Sequence, residues 1–187
     1  MKTRILTLTA LLLALFLFAA CTEEKPADPT STVTDAALAE ADAEFAGGYT
    51  VKLDNGISIT LGAVADDTLA ALGEPSDVME APSCIHTGND YVYTYSGRFT
   101  VTTQPDAAGR ERITEITFLS DAIAMTENGT SVMIGSDASV ADAAFGEPFE
   151  SSGGINRYFA DPVLSGVVNV TADGGEITAL SVNYVFG

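Results

Sequence analysis

An α+β fold of two tandem repeats, each a short helix packed on an antiparallel sheet and preceded by a β-hairpin, is what this sequence predicts. Three observations lead there. The stretch Asp54 to Pro75, DNGISITLGAVADDTLAALGEP, recurs without a gap as Glu127 to Pro148, ENGTSVMIGSDASVADAAFGEP, at a constant offset of 73 positions. Ten of the 22 positions are identical, including Asn55-Gly56, Gly62 and Gly73-Glu74-Pro75 with their counterparts, where chance alone gives roughly one or two. Each copy alternates apolar and polar residues around an Asn-Gly pair, and each is followed by three further alternating stretches. Period two of this kind is the signature of half-buried strands.

The chain opens with Lys2 and Arg4, an apolar run from Ile5 to Ala20, and Ala19-Ala20 before Cys21. This is the pattern of a signal peptide over residues 1–20. The run is shorter than the roughly 18 residues of a spanning helix. Leu17-Phe18-Ala19-Ala20-Cys21 resembles the lipobox of bacterial lipoproteins, which implies cleavage before Cys21 and its acylation, palmitate included. Residues 21–48 then read as the lipidated N-terminus and a flexible linker, because Thr22 to Thr34 is rich in Pro, Thr and acids without apolar periodicity. Within it, Asp35 to Ala46 has the composition of a short helix ended by Gly47-Gly48.

Residues 49–122 form the first repeat and 123–187 the second. Val51 and Leu53 alternate before Asn55-Gly56, and Ile57, Ile59 and Leu61 after it; Asn-Gly supplies the two positive-φ positions of a type I′ turn. Asn128-Gly129 repeats the signal. Ala65 to Leu72 reads as helix with Leu69 and Leu72 on one face, stopped by Gly73 in the left-handed region and by Pro75. Two turns are too short to persist alone, so the helix must dock on a sheet. Strands are expected at Asp90 to Ser96, Arg98 to Gln104 and Arg112 to Leu119, then at Asn156 to Phe159, Gly166 to Thr171 and Glu176 to Val185. The repeated Gly-Glu-Pro is a helix stop. It is not a phosphate loop, whose glycines precede a helix and aim its N-terminus at the anion.

Removing Lys2 and Arg4 with the signal peptide leaves six basic residues against 26 acids, about −20. Phosphate backbones and anionic lipid heads repel such a chain, so nucleic acid is excluded and membrane contact is expected through the lipid. Asp66-Asp67 and Asp54 could draw calcium, but no D-x-[DN]-x-[DN]-G array with a closing Glu is present. No cofactor or metal is expected.

Chemistry-bearing residues are few. Cys84 and His86, the one histidine, sit two apart, which in an extended segment places both on one side. That is the minimum for a Cys/His nucleophile pair or half a metal site, and nothing at a recognisable spacing supplies the rest. No G-x-S-x-G elbow exists, and carboxylate pairs mean little among 26 acids. No catalytic residue is named. Tyr91, Tyr93 and Tyr95 alternate with Val92 and Thr94, so a strand puts three tyrosines on one face. They pack as core under the helix or form an exposed partner-binding surface, and whichever set lies opposite the helices marks the candidate surface.

An aliphatic-glycine pair followed by a helix closing in Leu/Phe-Gly-Glu-Pro, at Leu61-Gly62 to Pro75 and Ile134-Gly135 to Pro148, resembles the units of the β-lactamase inhibitor protein fold. It is also similar to the small envelope-assembly lipoproteins of the SmpA/OmlA type. The resemblance implies tandem units whose sheets join into one concave surface, and a binding scaffold with no particular ligand. The expectation is a monomeric, non-enzymatic lipoprotein held on the extracytoplasmic face of the cell membrane, with a protein partner; the alternative is an envelope enzyme or redox or metal protein using Cys84 and His86.

Overall fold

The computed structural model describes residues 33–160 and 166–186. The signal peptide, Cys21 and most of the acidic tether lie outside the described residues. What is described is mostly antiparallel sheet with three short helices, an α+β arrangement.

Helix α1 (Asp35–Glu44) comes first, capped by Thr34, whose Oγ1 accepts from the Ala37 amide at 3.2 Å. The short helix expected within residues 21–48, over Asp35 to Ala46, is α1, and it is docked on the sheet. Ala41 and Phe45 are buried, and the Phe45 ring lies 5.3 Å from that of Tyr184 and 5.4 Å from that of Phe186. Tyr184 Oη donates to the carbonyls of Glu44 and Ala46. Ion pairs complete the dock, from Asp42 to Arg110 and Arg112. Charges and one aromatic leave no apolar period to read in the sequence.

Then follow a hairpin of β1 (Thr50–Leu53) and β2 (Ser58–Thr60), helix α2 (Asp66–Leu72), and strands β3 (Asp77–Pro82), β4 (Asn89–Tyr95), β5 (Phe99–Pro105) and β6 (Glu111–Phe118). After them come a hairpin of β7 (Met125–Glu127) and β8 (Thr130–Val132), helix α3 (Ser139–Phe145), and strands β9 (Glu150–Ser152), β10 (Ile155–Phe159), β11 (Gly166–Asp173) and β12 (Glu176–Tyr184). Four strands follow each helix where three were expected. The additional ones, β3 and β9, are edge strands with every residue exposed, so they carry no alternation.

The two hairpins pair with each other as a four-stranded sheet, β2-β1-β7-β8, and the remaining strands form an eight-stranded sheet, β3-β4-β5-β6-β12-β11-β10-β9. At its centre β6 meets β12 antiparallel, Ile116 opposite Val182 and Phe118 opposite Leu180. One hydrophobic core lies between the layers: Val51, Ile59, Met125 and Val132 from the small sheet, with Leu61 just after it, meet Val101, Ile116, Val168 and Val182 from the large one. Leu69 and Leu72 of α2 and Val140 and Phe145 of α3 pack against the same core. Where α2 presents Leu69, the equivalent position of α3 is Asp142, which accepts a hydrogen bond from Tyr158 Oη at 2.9 Å. Burial, then this carboxylate, push the Tyr158 hydroxyl up to about 12.

The local punctuation follows its residues with one exception. Gly73 and Gly146 close their helices at φ 81° and 84°. Asn128 and Gly129 both take positive φ, as a two-residue type I′ loop requires. In the first hairpin only Gly56 does so. There Gly56 donates to the Leu53 carbonyl, Leu53 donates to that of Ile57, and Asn55 Oδ1 accepts from the Ile57 amide. The result is a three-residue loop with glycine at its left-handed position, which the Asn side chain stabilises by standing in for a backbone acceptor.

Candidate functional site

Alternation divides the eight-stranded sheet into two unlike faces. Phe99, Val101, Ile116, Phe118, Leu180, Val182, Val168 and Val170 are buried in the core beneath the helices and the small sheet. The alternate residues are only partly buried, and the strand register arranges them in rows. One row crosses all eight strands: Asp77, Thr94, Thr100, Thr117, Ser181, Asn169, Arg157 and Glu150. A second runs parallel through Met79, Val92, Thr102, Glu115, Asn183, Val167 and Phe159. Hydroxyls, amides and one carboxylate therefore occupy the middle of the face, with charged residues at the edges of the first row and apolar residues at those of the second.

Over the junction of β12 with β6 and β11 the face sinks into a depression of about 420 Å³, lined by Glu115, Thr117, Arg157, Asn169, Ser181 and Asn183, with Ile155, Thr171 and Ala179. Its origin is side-chain length: Ala179 and Ser181 are short, whereas Glu115 and Arg157 stand on strands to either side. The polar groups are held in place by one another. Asn169 Nδ2 donates to Asn183 Oδ1 at 2.7 Å and to Ser181 Oγ at 3.3 Å, and Ser181 Oγ donates to Asn183 Oδ1 at 3.1 Å. Thr117 Oγ1 donates to Glu115 Oε1 at 3.1 Å, and Arg157 Nη1 to Glu150 Oε2 at 2.7 Å. Donors and acceptors fixed on rigid strands suit recognition, since little side-chain freedom remains to be lost on binding.

The tyrosines lie on the other side. Tyr91, Tyr93 and Tyr95 stand opposite Thr103, Val101 and Phe99, all buried on the covered face. Tyr95 is buried and stacks on Phe99 with centroids 5.2 Å apart. Tyr93 is half-buried against the core and donates to Glu111 Oε2 at 2.9 Å; burial, then this carboxylate, hold its hydroxyl well above the ordinary tyrosine range. Tyr91 stacks on Tyr93 at 5.9 Å. An exposed tyrosine surface is thus not formed, and the candidate surface passes to the set that contains Val92 and Thr94. Thr117, Asn169, Ser181 and Asn183 were missed as site residues. Their strands were legible, but period two says only that two faces differ, not which one the helices cover.

Cys84 and His86 sit in the irregular β3–β4 connection, not in an extended segment. Cys84 is exposed, and His86 Nε2 lies 3.1 Å from Glu44 Oε1 on α1. Among the described residues, no three His, Cys, Asp or Glu side chains converge as a metal site would require. The calcium candidates Asp54, Asp66 and Asp67 form no such group either.

A different charge cluster is built into the end of the sheet. Asp106, in the β5–β6 turn and 1% exposed, accepts from Arg112 Nε at 2.8 Å, from Arg110 Nε at 2.9 Å, and from the amides of Ala108 and Arg110 at 2.9 Å. Arg112 also donates to the Gly62 carbonyl at 3.1 Å and lies over the Phe45 ring. Burial alone would raise the Asp106 carboxyl, but the hydrogen bonds from Arg112 and Arg110 outweigh it and leave the group below its usual value. These interactions clamp α1 to the sheet and are structural in kind.

Comparison with known protein families, with curated proteins and with solved structures finds no match to this chain.

Proposed function

We propose that this chain is a cell-envelope lipoprotein, acylated at Cys21, that acts as a non-enzymatic binding scaffold through the open polar face of its eight-stranded sheet. The observation that carries the reading is that face: eight strands wide, with no described helix packed over its middle, and furnished with mutually fixed hydroxyl, amide and carboxylate groups around a shallow depression. A face this broad, holding one carboxylate and no imidazole at its depression, fits recognition better than acid–base or nucleophilic chemistry.

The same reading takes the two halves as tandem copies of one unit. In support, hairpin, helix and four strands succeed one another twice, and α3 begins 73 residues after α2, the offset of the sequence identities. An eight-stranded sheet shared by both halves is also the arrangement implied by the resemblance to the β-lactamase inhibitor protein fold.

Anchoring has a direct test. Cys21→Ser should move the protein from the membrane fraction to the soluble fraction while leaving its thermal unfolding unchanged, because Cys21 precedes the first docked residue by more than ten positions. A wild-type protein that is already soluble, or a mature N-terminus other than Cys21, would refute the anchored reading.

A further inference from the structure

The strand register places one end of the eight-stranded sheet together: the end of β3, the start of β4, the end of β5, the start of β6, the end of β12, the end of β10 and the residue before β9. Exposed large apolar side chains gather there. Ile85 follows β3, Phe149 precedes β9, Phe159 ends β10, and Val185 and Phe186 follow β12; each is at least 40% exposed. Phe149 and Phe159 stack on each other with centroids 4.1 Å apart, so two exposed rings act as one apolar block. Leu119, also exposed, marks the opposite end, where β6 finishes.

Two further features belong to this end. The C-terminal turn of α1 docks on it: Asp42 and Glu44 meet Arg110, Arg112 and His86, and Phe45, just after the helix, meets Tyr184 and Phe186. The chain that leads toward Cys21 leaves from Asp35, at the other end of α1 and about 14 Å of helix away, and the 14 residues from Cys21 to Asp35 span at most about 50 Å fully extended, enough for a membrane to be reached from this end. Several charges of the end are paired: Asp42 and Asp106 face Arg110 and Arg112, and the His86 ring lies against Glu44. Paired charges and exposed aromatic and aliphatic side chains suit a boundary between water and hydrocarbon.

We infer that this end of the sheet rests on the bilayer interface, inserting Phe149, Phe159 and their apolar neighbours while the polar middle of the open sheet face stays clear of the lipid for its partner. The inference rests on the anchored reading above. Zwitterionic lipid is the matching surface, because Asp35 and Glu40 of α1 are exposed and the mature chain carries an excess of acids that anionic heads repel. The contact is weak on its own and is populated because the tether holds the body at high local concentration beside the membrane.

The chain contains no tryptophan, so single reporters can be introduced. The mature chain from Cys21 onward, with exposed Cys84→Ser, is coupled through its residue-21 thiol to a maleimide lipid in phosphatidylcholine vesicles with brominated acyl chains. Because coupling is chemical, failure of natural acylation does not affect the outcome. Phe159→Trp should lose about half of its fluorescence or more relative to unbrominated vesicles, as expected for a ring set about 5–10 Å into the boundary, whereas Leu119→Trp should be unchanged. Little quenching at Phe159→Trp, or equal quenching at both positions, overturns the inference. Should native Cys21 prove unacylated while Phe159→Trp is quenched, the anchored reading fails and the membrane-facing end stands.

Discussion

Asp106→Ala is expected to destabilise the protein by about 3 to 5 kcal/mol, the cost of breaking a buried ion pair by removing one partner. The residue is 1% exposed and serves two roles. Its Oδ1 closes the β5–β6 turn by accepting from the amides of Ala108 and Arg110, and its Oδ2 balances the guanidinium groups of Arg110 and Arg112. Alanine leaves Arg112, itself 5% exposed, without its buried counter-ion. Asp106→Asn keeps an acceptor for the turn amides and removes only the charge, so it should cost less than the alanine variant. The pH dependence has a fixed sign. The folded carboxyl is held below its unfolded value of about 3.9, so its contribution is complete above that pH and disappears as pH falls through the depressed folded value. Urea unfolding of wild type and variant should therefore converge in acid and stand furthest apart near neutrality. A variant within about 1 kcal/mol of wild type at pH 7 would mean that the cluster is not the clamp described here.

Phe45→Ala should cost a similar amount, about 3 to 5 kcal/mol, for a different reason. The ring is 6% exposed at the junction of α1 with the sheet, between Tyr184 and Phe186 and beneath the Arg112 guanidinium. Its removal opens a cavity that a ten-residue helix held by ion pairs cannot close. For a folded body of about 150 residues the loss corresponds to a fall in Tm of roughly 6 to 20 °C. Residues 35–44 should also become susceptible to proteolysis before the strands do, because α1 has few other apolar contacts. Unchanged thermal stability would show that α1 is dispensable to the fold.

Much of this architecture was legible where local chemistry decides the backbone. Asn128-Gly129 makes its turn, Gly73 and Gly146 end their helices, and the alternating stretches around Val101, Ile116, Val168 and Val182 are strands. Each of these signals is complete within a few residues. What escaped depended on contacts between distant parts of the chain. Edge strands β3 and β9 bury nothing, so no pattern marks them. The dock of α1 rests on Asp42 reaching arginines some 70 positions away, and a charge shows no period. The side on which Tyr91, Tyr93 and Tyr95 lie could not be read from their alternation with Val92 and Thr94, because either set could have faced the helices. The candidate face itself was visible only as the polar half of each strand. That Thr117, Ser181 and Asn169 stand in one row became apparent once β6 was seen to pair with β12.

Placing a photo-cross-linking residue at Thr117 or Asn183, and separately at exposed Asp67 on α2, tests the scaffold reading most directly when done in the membrane-anchored protein in its native envelope. Both open-face positions should give the same discrete adduct on illumination, and Asp67 should give none. Adducts from Asp67 alone, the same adducts from all three positions, or none from Thr117 and Asn183 would contradict the claim that the open sheet face is the binding surface.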